Sequence, residues 1–286
     1  MIRLKLFITA IFISFISFAQ EQEENSLLWE ITGNGLQQPS FLFGTIHMIC
    51  KEDFFMPELV KQKFAASGKV FLEFDMDDPL MQMKMMKLAM LPKGETLKTI
   101  FGKDYALLDS FFKTNSSYPL AMFNQFKPMM VMSMITMEML PCDGNESYEN
   151  SFMSMAKKQG KDILGLETME DQMKVFDDIP DSIEAKNIIK MINEFELQKK
   201  QFAEMVEVYK QQNIHKLQAE IVNSPDIMGA EEALLTNRNN NWIPVIEKNM
   251  KEAGCFFAVG AGHLAGEKGV IKLLRKAGYT VKAIKI

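Results

Sequence analysis

Histidine and cysteine are both scarce in this chain, with three of each among 286 residues. No two cysteines stand at metal-ligand spacing, which excludes a thiolate zinc site of the usual kind. Three is also an odd number, so at most one intramolecular disulfide forms. Cys50 and Cys142 are free to pair in principle, whereas Cys255 opens an apolar run and reads as a small buried hydrophobe. Basic residues are outnumbered, 32 against 37 acidic ones, which argues against nucleic acid as a partner. Long apolar runs are missing too. Beyond the first 19 residues no stretch approaches the ~20 apolar residues that a membrane span requires.

Those first residues form a recognisable unit. Arg3 and Lys5 supply a basic start, Leu6 to Phe18 an apolar run, and Ser17-Phe18-Ala19 a small-x-small cleavage site. This is the pattern of a secretory signal peptide over residues 1–19, and it predicts an exported protein, periplasmic or secreted. The mature chain, residues 20–286, reads as one domain with no low-complexity linker.

Two of the three histidines share a local setting. Phe41-Leu42-Phe43-Gly44-Thr45-Ile46-His47 and Cys255-Phe256-Phe257-Ala258-Val259-Gly260-Ala261-Gly262-His263 are β-type apolar runs that each deliver a Gly-x-x-His. A histidine emerging at a strand end stands where the ligand chemistry of α/β sheets usually sits. Val70 to Phe74 and Ile163 to Glu167 are two further apolar strands, bearing Glu73 and Glu167 at their ends. Phe41 to Phe74 reads as a strand-helix-strand crossover whose two strands are parallel neighbours, bringing His47 and Glu73 within reach. His215, on an amphipathic segment from Asp181 to Ile221, reads as a surface or groove histidine. Pro244 is expected to kink or break a helix over Glu231 to Ala253.

Between residues 76 and 140 the chain is helical in tendency and rich in methionine, a residue that adapts to irregular contacts. We expect a helical lid or subdomain there. The fold class is α/β: a central mixed sheet built from two distantly repeated halves, with flanking helices and this methionine-rich insertion.

Two histidines and two glutamates at strand ends support either a divalent-metal site with an open position for water or a metal-free His47–Glu73 base. Arg238 is placed to stabilise an oxyanion in both schemes. The order of motifs then becomes informative. Leu28-Trp29-Glu30-Ile31, Phe41 to His47, Gly165-Leu166-Glu167-Thr168 with Gln172, Arg238-Asn239, and Val259 to Leu264 with Gly266, Gly269 and Gly278-Tyr279 resemble the TraB/PrgY/GumN family. That family is similar to the Tiki metalloproteases and more distantly to erythromycin esterases and ChaN-like proteins.

The resemblance implies metal ligands at His47, His263 and Glu167, catalytic roles for Glu73 and Arg238, and a divalent ion such as manganese, cobalt or zinc. It implies an exported, metal-dependent peptidase acting on a peptide or protein. The alternatives are a non-catalytic peptide- or pheromone-binding protein, or a metal-independent esterase. Where relatives often carry Gly-x-Asp, this chain has Ser147-Tyr148-Glu149, a longer acid without the glycine.

Overall fold

The computed structural model describes residues 24–142, 144–177, 179–224 and 230–286. Residues 1–19, where a signal peptide is expected, lie outside them. Eight strands are present among the described residues: β1 (Leu28–Gly33), β2 (Ser40–Thr45), β3 (Ile49–Cys50), β4 (Lys69–Phe74), β5 (Asn145–Glu146), β6 (Ile163–Glu167), β7 (Cys255–Gly260) and β8 (Tyr279–Ile284). Six of them form one mixed sheet in the order β6-β4-β7-β2-β1-β8, while β3 and β5 form a separate two-stranded ladder.

Residues in β2 and β7 are buried almost throughout, as continuous apolar runs require when both faces of a parallel sheet are covered. The turn at Gly33-Asn34-Gly35, where all three residues have positive φ, sends β1 back antiparallel to β2. The carboxyl-terminal strand β8 then pairs antiparallel with β1 and closes that side.

One expected neighbour relation is replaced by another. β2 and β4 run parallel, but β7 lies between them, with Phe256 in register with Phe41 on one side and Val70 on the other. A strand that is apolar on both faces needs a partner along each edge, and β7 takes the central place for that reason. The carboxyl ends of β2, β7, β4 and β6 therefore line one rim. Thr45 stands opposite Gly260, and Phe74 opposite Glu167.

Helices cover the sheet. α1 (Glu58–Ala66) lies in the crossover from β2 to β4. After β4 the chain makes α2 (Met81–Ala89), α3 (Leu97–Phe101), α4 (Tyr105–Asn115) and α5 (Pro128–Met137) before returning through α6 (Tyr148–Gln159) to β6. α7 (Met169–Asp177) follows, opened by a reciprocal cap in which Thr168 and Asp171 bond each other's backbone N–H. The amphipathic stretch expected from Asp181 to Ile221 divides into α8 (Asp181–Asn193), α9 (Phe195–Lys210) and α10 (Ile214–Val222). The second break falls at Gln212, whose φ is 58°. A π-helical segment, Glu232–Asn237, leads into α11 (Arg238–Met250), and α12 (Val270–Lys276) precedes β8. Pro244 is carried inside α11 without ending it. Among the described residues three apolar clusters result: one around the sheet, a second joining α3, α4 and α5 to α8 through residues such as Leu97, Phe112, Ile135 and Ile188, and a small third of Met129, Met169 and Met173.

Glu184 is buried on α8 beside this second core. Burial, then the charges of Asp181 and Asp177, push its pKa up to about 7, while Lys127 pulls the other way. A carboxyl that holds its proton more tightly when folded contributes stability that is full below its unfolded value of 4.5 and is lost as pH rises through about 7. Glu184→Gln should therefore flatten the fall in melting temperature across that window. A slope identical to wild type would show that Glu184 ionises without cost.

Candidate active site at the sheet rim

His47 follows β2, Glu73 is the penultimate residue of β4, Glu167 ends β6, and His263 lies just past β7. Arg238 and Asn239 open α11, which crosses the same rim. The structure thus gathers all five residues expected from sequence. His215, half-buried on α10, is not among the groups that meet there.

Gly260 marks the meeting point. A methyl group built on it would stand 3.3 Å from Glu73 Oε1, 3.6 Å from His263 Cδ2 and 3.7 Å from His47 Nε2. Three side chains from three strands therefore crowd around one backbone position, which the missing Cβ keeps open. The Gly260 N–H also donates to Glu73 Oε1 at 2.8 Å. Its φ is negative, so alanine is sterically allowed by the backbone. Gly260→Ala should leave the melting temperature nearly unchanged while weakening whatever binds between His47, Glu73 and His263 by about tenfold, an effect of the size seen when a site's supporting contacts are disturbed. Unaltered ligand binding in that variant would show that this space is not used.

Each imidazole is fixed through Nδ1. His263 Nδ1 is 2.6 Å from Asn239 Oδ1, and the Asn239 amide nitrogen donates to the Lys268 carbonyl at 2.9 Å. Since the amide is thereby oriented, His263 Nδ1 carries the proton and Nε2 carries the lone pair. Burial, with Arg238 and His47 adding to it against Glu73, brings the His263 pKa down to about 3, so the ring is neutral. Trp242 packs against it with ring centroids 4.4 Å apart.

His47 Nδ1 lies 3.1 Å from Glu149 Oε1. The same carboxylate accepts from Thr45 Oγ1 and Ser147 Oγ, each at 2.8 Å. His47 lines the open cleft, with 64% of its side-chain surface exposed. Desolvation opposes its charge, but the hydrogen bond and charge of Glu149, with Glu73 behind, outweigh it and raise the pKa to about 9. Burial likewise works against Glu149, but His47, Thr45 and Ser147 hold its carboxyl below the ordinary value.

Arg238 joins the two strand-end acids. Its Nη2 donates to Glu73 Oε2 and to Glu167 Oε1, both at 2.6 Å, and its Nε reaches Glu167 at 2.9 Å. Trp242 Nε1 donates to Glu167 Oε2 at 3.1 Å, so both Glu167 oxygens are engaged. Arg238 Nη1 donates to the Leu234 carbonyl at 3.1 Å and to His263 Nε2 at 3.3 Å. Burial alone would raise Glu73, but Arg238 first, then the two histidines and the Gly260 N–H, hold its carboxyl far below the usual carboxylate range. Burial and the adjacent Glu73 charge push Glu167 up.

Gln172 Nε2 faces Glu73 Oε2 at 3.4 Å, because a carboxylate can only accept. Its Oε1 is buried and has no partner among the described residues. His47, Gln172, Arg238, Gly260 and His263 line a cleft of about 710 Å³, walled by apolar side chains including Met132, Met139, Phe176, Phe202, Met205 and Leu217. Asn239, Trp242 and Gly260 escape a reading that looks only for titratable groups. The signal that could have found two of them is spacing, since Arg238 and Trp242 stand i,i+4 on one helix face and Asn239 adjoins Arg238.

Among the described residues, Cys50 and Cys142 form a disulfide and Cys255 is free and buried. The grouping of possible metal ligands found within 4.8 Å of one another among the described residues, Cys50, Glu52 and Cys142, is thereby spent as a thiolate site. No helix among the described residues is long and apolar enough to cross a membrane.

The chain is similar to Metalloprotease TIKI2 of Danio rerio, 38% identical over 85 residues that make up 29% of this chain and 16% of the relative. It is similar to Metalloprotease TIKI1 of Homo sapiens, 36% identical over 86 residues, 30% of this chain and 16% of the relative. A match of greater extent, at 24% identity, joins 91% of this chain to 67% of the Metalloprotease TIKI homolog of Nematostella vectensis. The chain thus spans only part of the length of these relatives. No solved structure matches it. The model of the TraB/PrgY/gumN family matches residues 27–283, nearly the whole described chain, and the protein belongs to that family.

Proposed function

We propose that this protein is an exported metal-dependent hydrolase that cleaves peptide bonds in the cleft above Gly260. The observation that carries the proposal is the convergence of His47, His263 and Glu73 on one backbone position. Each histidine is turned by an acceptor at Nδ1, the arrangement by which proteins commonly orient imidazole ligands. Two imidazole Nε2 atoms and the Glu73 carboxylate are donors of the kind a divalent cation takes; His263 Nε2 lies 3.8 Å from Glu73 Oε1, and the three do not all lie within 4.8 Å of one another, so a bound ion would have to draw them together. The two glutamates then exchange the roles expected from sequence. Glu73 faces the histidines, whereas both Glu167 oxygens serve Arg238 and Trp242.

A divalent ion held there would polarise a carbonyl and lower the pKa of a bound water. Glu167 fixes Arg238, and a guanidinium lining the cleft is suited to stabilise negative charge that develops on a substrate oxygen. When His263 Nε2 is otherwise engaged, Arg238 Nη1 keeps the Leu234 carbonyl as partner. Gln172 Oε1, a buried acceptor without a donor, is suited to a peptide N–H. The apolar walls favour substrates with apolar side chains near the cut bond.

The metal-free esterase reading would use His47 as base with Glu73 behind it, but the carboxylate that meets His47 Nδ1 is Glu149, while Glu73 is held by Arg238 and the Gly260 N–H. Export is supported by the Cys50–Cys142 disulfide, which persists in oxidising compartments.

The test is cleavage of a mixed peptide library by the mature protein, with and without chelator. Cleavage abolished by chelation and restored by manganese, cobalt or zinc is the expected result. A peptide held stably and recovered intact would establish a binding protein instead, and chelator-resistant turnover would establish a metal-free hydrolase.

A further inference from the structure

The part of the chain that orients His47 is fastened by the disulfide. Three residues after His47 comes Cys50, bonded to Cys142 across a sequence separation of 92. Cys142 stands seven residues before Glu149. Between these points the ladder of β3 and β5 has only two paired positions, Ile49 with Glu146 and Cys50 with Asn145, plus a bond from Lys51 N–H to the Gly144 carbonyl. A two-stranded ladder this short is marginal by itself in water. The span from 51 to 141 contains α1, β4 and all the helices from α2 to α5. The disulfide therefore ties together the two ends of a large insertion, at the place where one end carries His47 and the other leads into α6 with Glu149.

Other contacts hold the start of α6 as well. Tyr148 Oη donates to the Phe55 carbonyl at 2.6 Å, and its ring packs on Phe43 and Phe54. These anchor Tyr148, which points into the core, whereas Glu149 faces His47. The lateral placement of Glu149 against His47 depends on how the strand preceding it meets the strand following His47, and the Cys50–Cys142 bond fixes that junction covalently. Helix α5, the last of the insertion, walls the cleft through Met132 and Thr136, and the disulfide closes the insertion between that helix and the histidine.

We propose that the Cys50–Cys142 disulfide and Glu149 together form a positioning device for His47, which sets the direction of its Nε2 and insulates it from the insertion. The proposal deepens the metal-site reading given above and rests on it for its effect on metal affinity, while its effect on the imidazole itself does not require a metal.

The experiment uses the mature chain, its Cys50→Ala/Cys142→Val form, which removes the covalent link while keeping an apolar pair, and Glu149→Gln, which keeps the link. Nitrogen-15 NMR of the imidazoles reports tautomer and hydrogen bonding at each histidine, and calorimetry with manganese, cobalt or zinc reports affinity. In both variants the His47 resonances should shift and broaden while those of His263 stay in place, and metal affinity should fall about tenfold or more, the usual effect of losing a partner that orients a ligand. Unchanged His47 resonances in the linkless form would overturn the proposal. So would its global unfolding, since the disulfide would then hold up the fold as a whole and not the histidine. If no form binds metal, the metal reading fails, and the His47 resonances alone still decide the positioning role.

Discussion

Replacing Arg238 with methionine should cost about 3–5 kcal/mol of stability at neutral pH, the range for breaking one side of a buried ion pair. Arg238, Glu73 and Glu167 are all largely shielded from solvent, and the guanidinium is the cation that both carboxylates share. Without it two acids remain close together in a site with little water. The pH dependence follows from the direction of the Glu73 shift. In the wild type its folded-state carboxyl lies well below the unfolded value of 4.5, so its stabilising contribution is present above that pH and is lost as pH falls toward the folded value. In the variant burial is no longer opposed by Arg238, the carboxyl moves up, and the sign reverses: stability falls as pH rises. Urea denaturation at about pH 4.5 and about pH 7 should therefore show a gap between wild type and Arg238→Met that widens with pH. Arg238→Lys should recover only part of it, because a point charge cannot reproduce the fork that meets two carboxylates. A gap under about 1 kcal/mol at both pH values would class the trio with ordinary surface ion pairs.

The second large effect separates the two glutamates. Glu73→Gln should lower metal affinity by more than about 100-fold, beyond the range for partners outside the ligand shell, and peptide cleavage should fall with it. Glu167→Gln should retain the metal and lose mainly kcat, because its carboxylate acts through Arg238 and Trp242. The loss expected there is about 100-fold, comparable to removal of one oriented donor from an oxyanion site. Calorimetry and kinetics on the two variants side by side are sufficient. The opposite pattern, with metal lost on changing Glu167 and kept on changing Glu73, would restore the assignment read from sequence.

Much of the sheet could be read in the chain because its strands are continuous apolar runs. Phe41 to Phe43 and Cys255 to Val259 have no polar face to leave in water, so both had to be interior strands. Their order could not be read the same way. Placing β7 between β2 and β4 joins residues more than 180 positions apart, and nothing in the local pattern around Phe71 or Phe257 records that pairing.

The site shows the same division. His47, Glu73, Glu167, Arg238 and His263 were named from residue type and position, and the structure brings them to one rim. Their distribution into partners was not legible: that Glu167 spends both oxygens on α11, and that Asn239 sets the tautomer of His263, depends on where α11 crosses the sheet. Glu149 illustrates why. Its departure from the family pattern left its role open in the sequence, and only the fold shows that a longer acid reaches His47 while also accepting from Thr45 and Ser147.

Metal content tests the central claim most directly. The protein over residues 20–286 and its His47→Ala and His263→Ala forms would each be dialysed, reloaded with manganese, cobalt or zinc and submitted to elemental analysis. We expect one ion per chain in the wild type and loss of that ion in both variants. No ion in the wild type under any loading, or full retention in both variants, would contradict a shared site at Gly260.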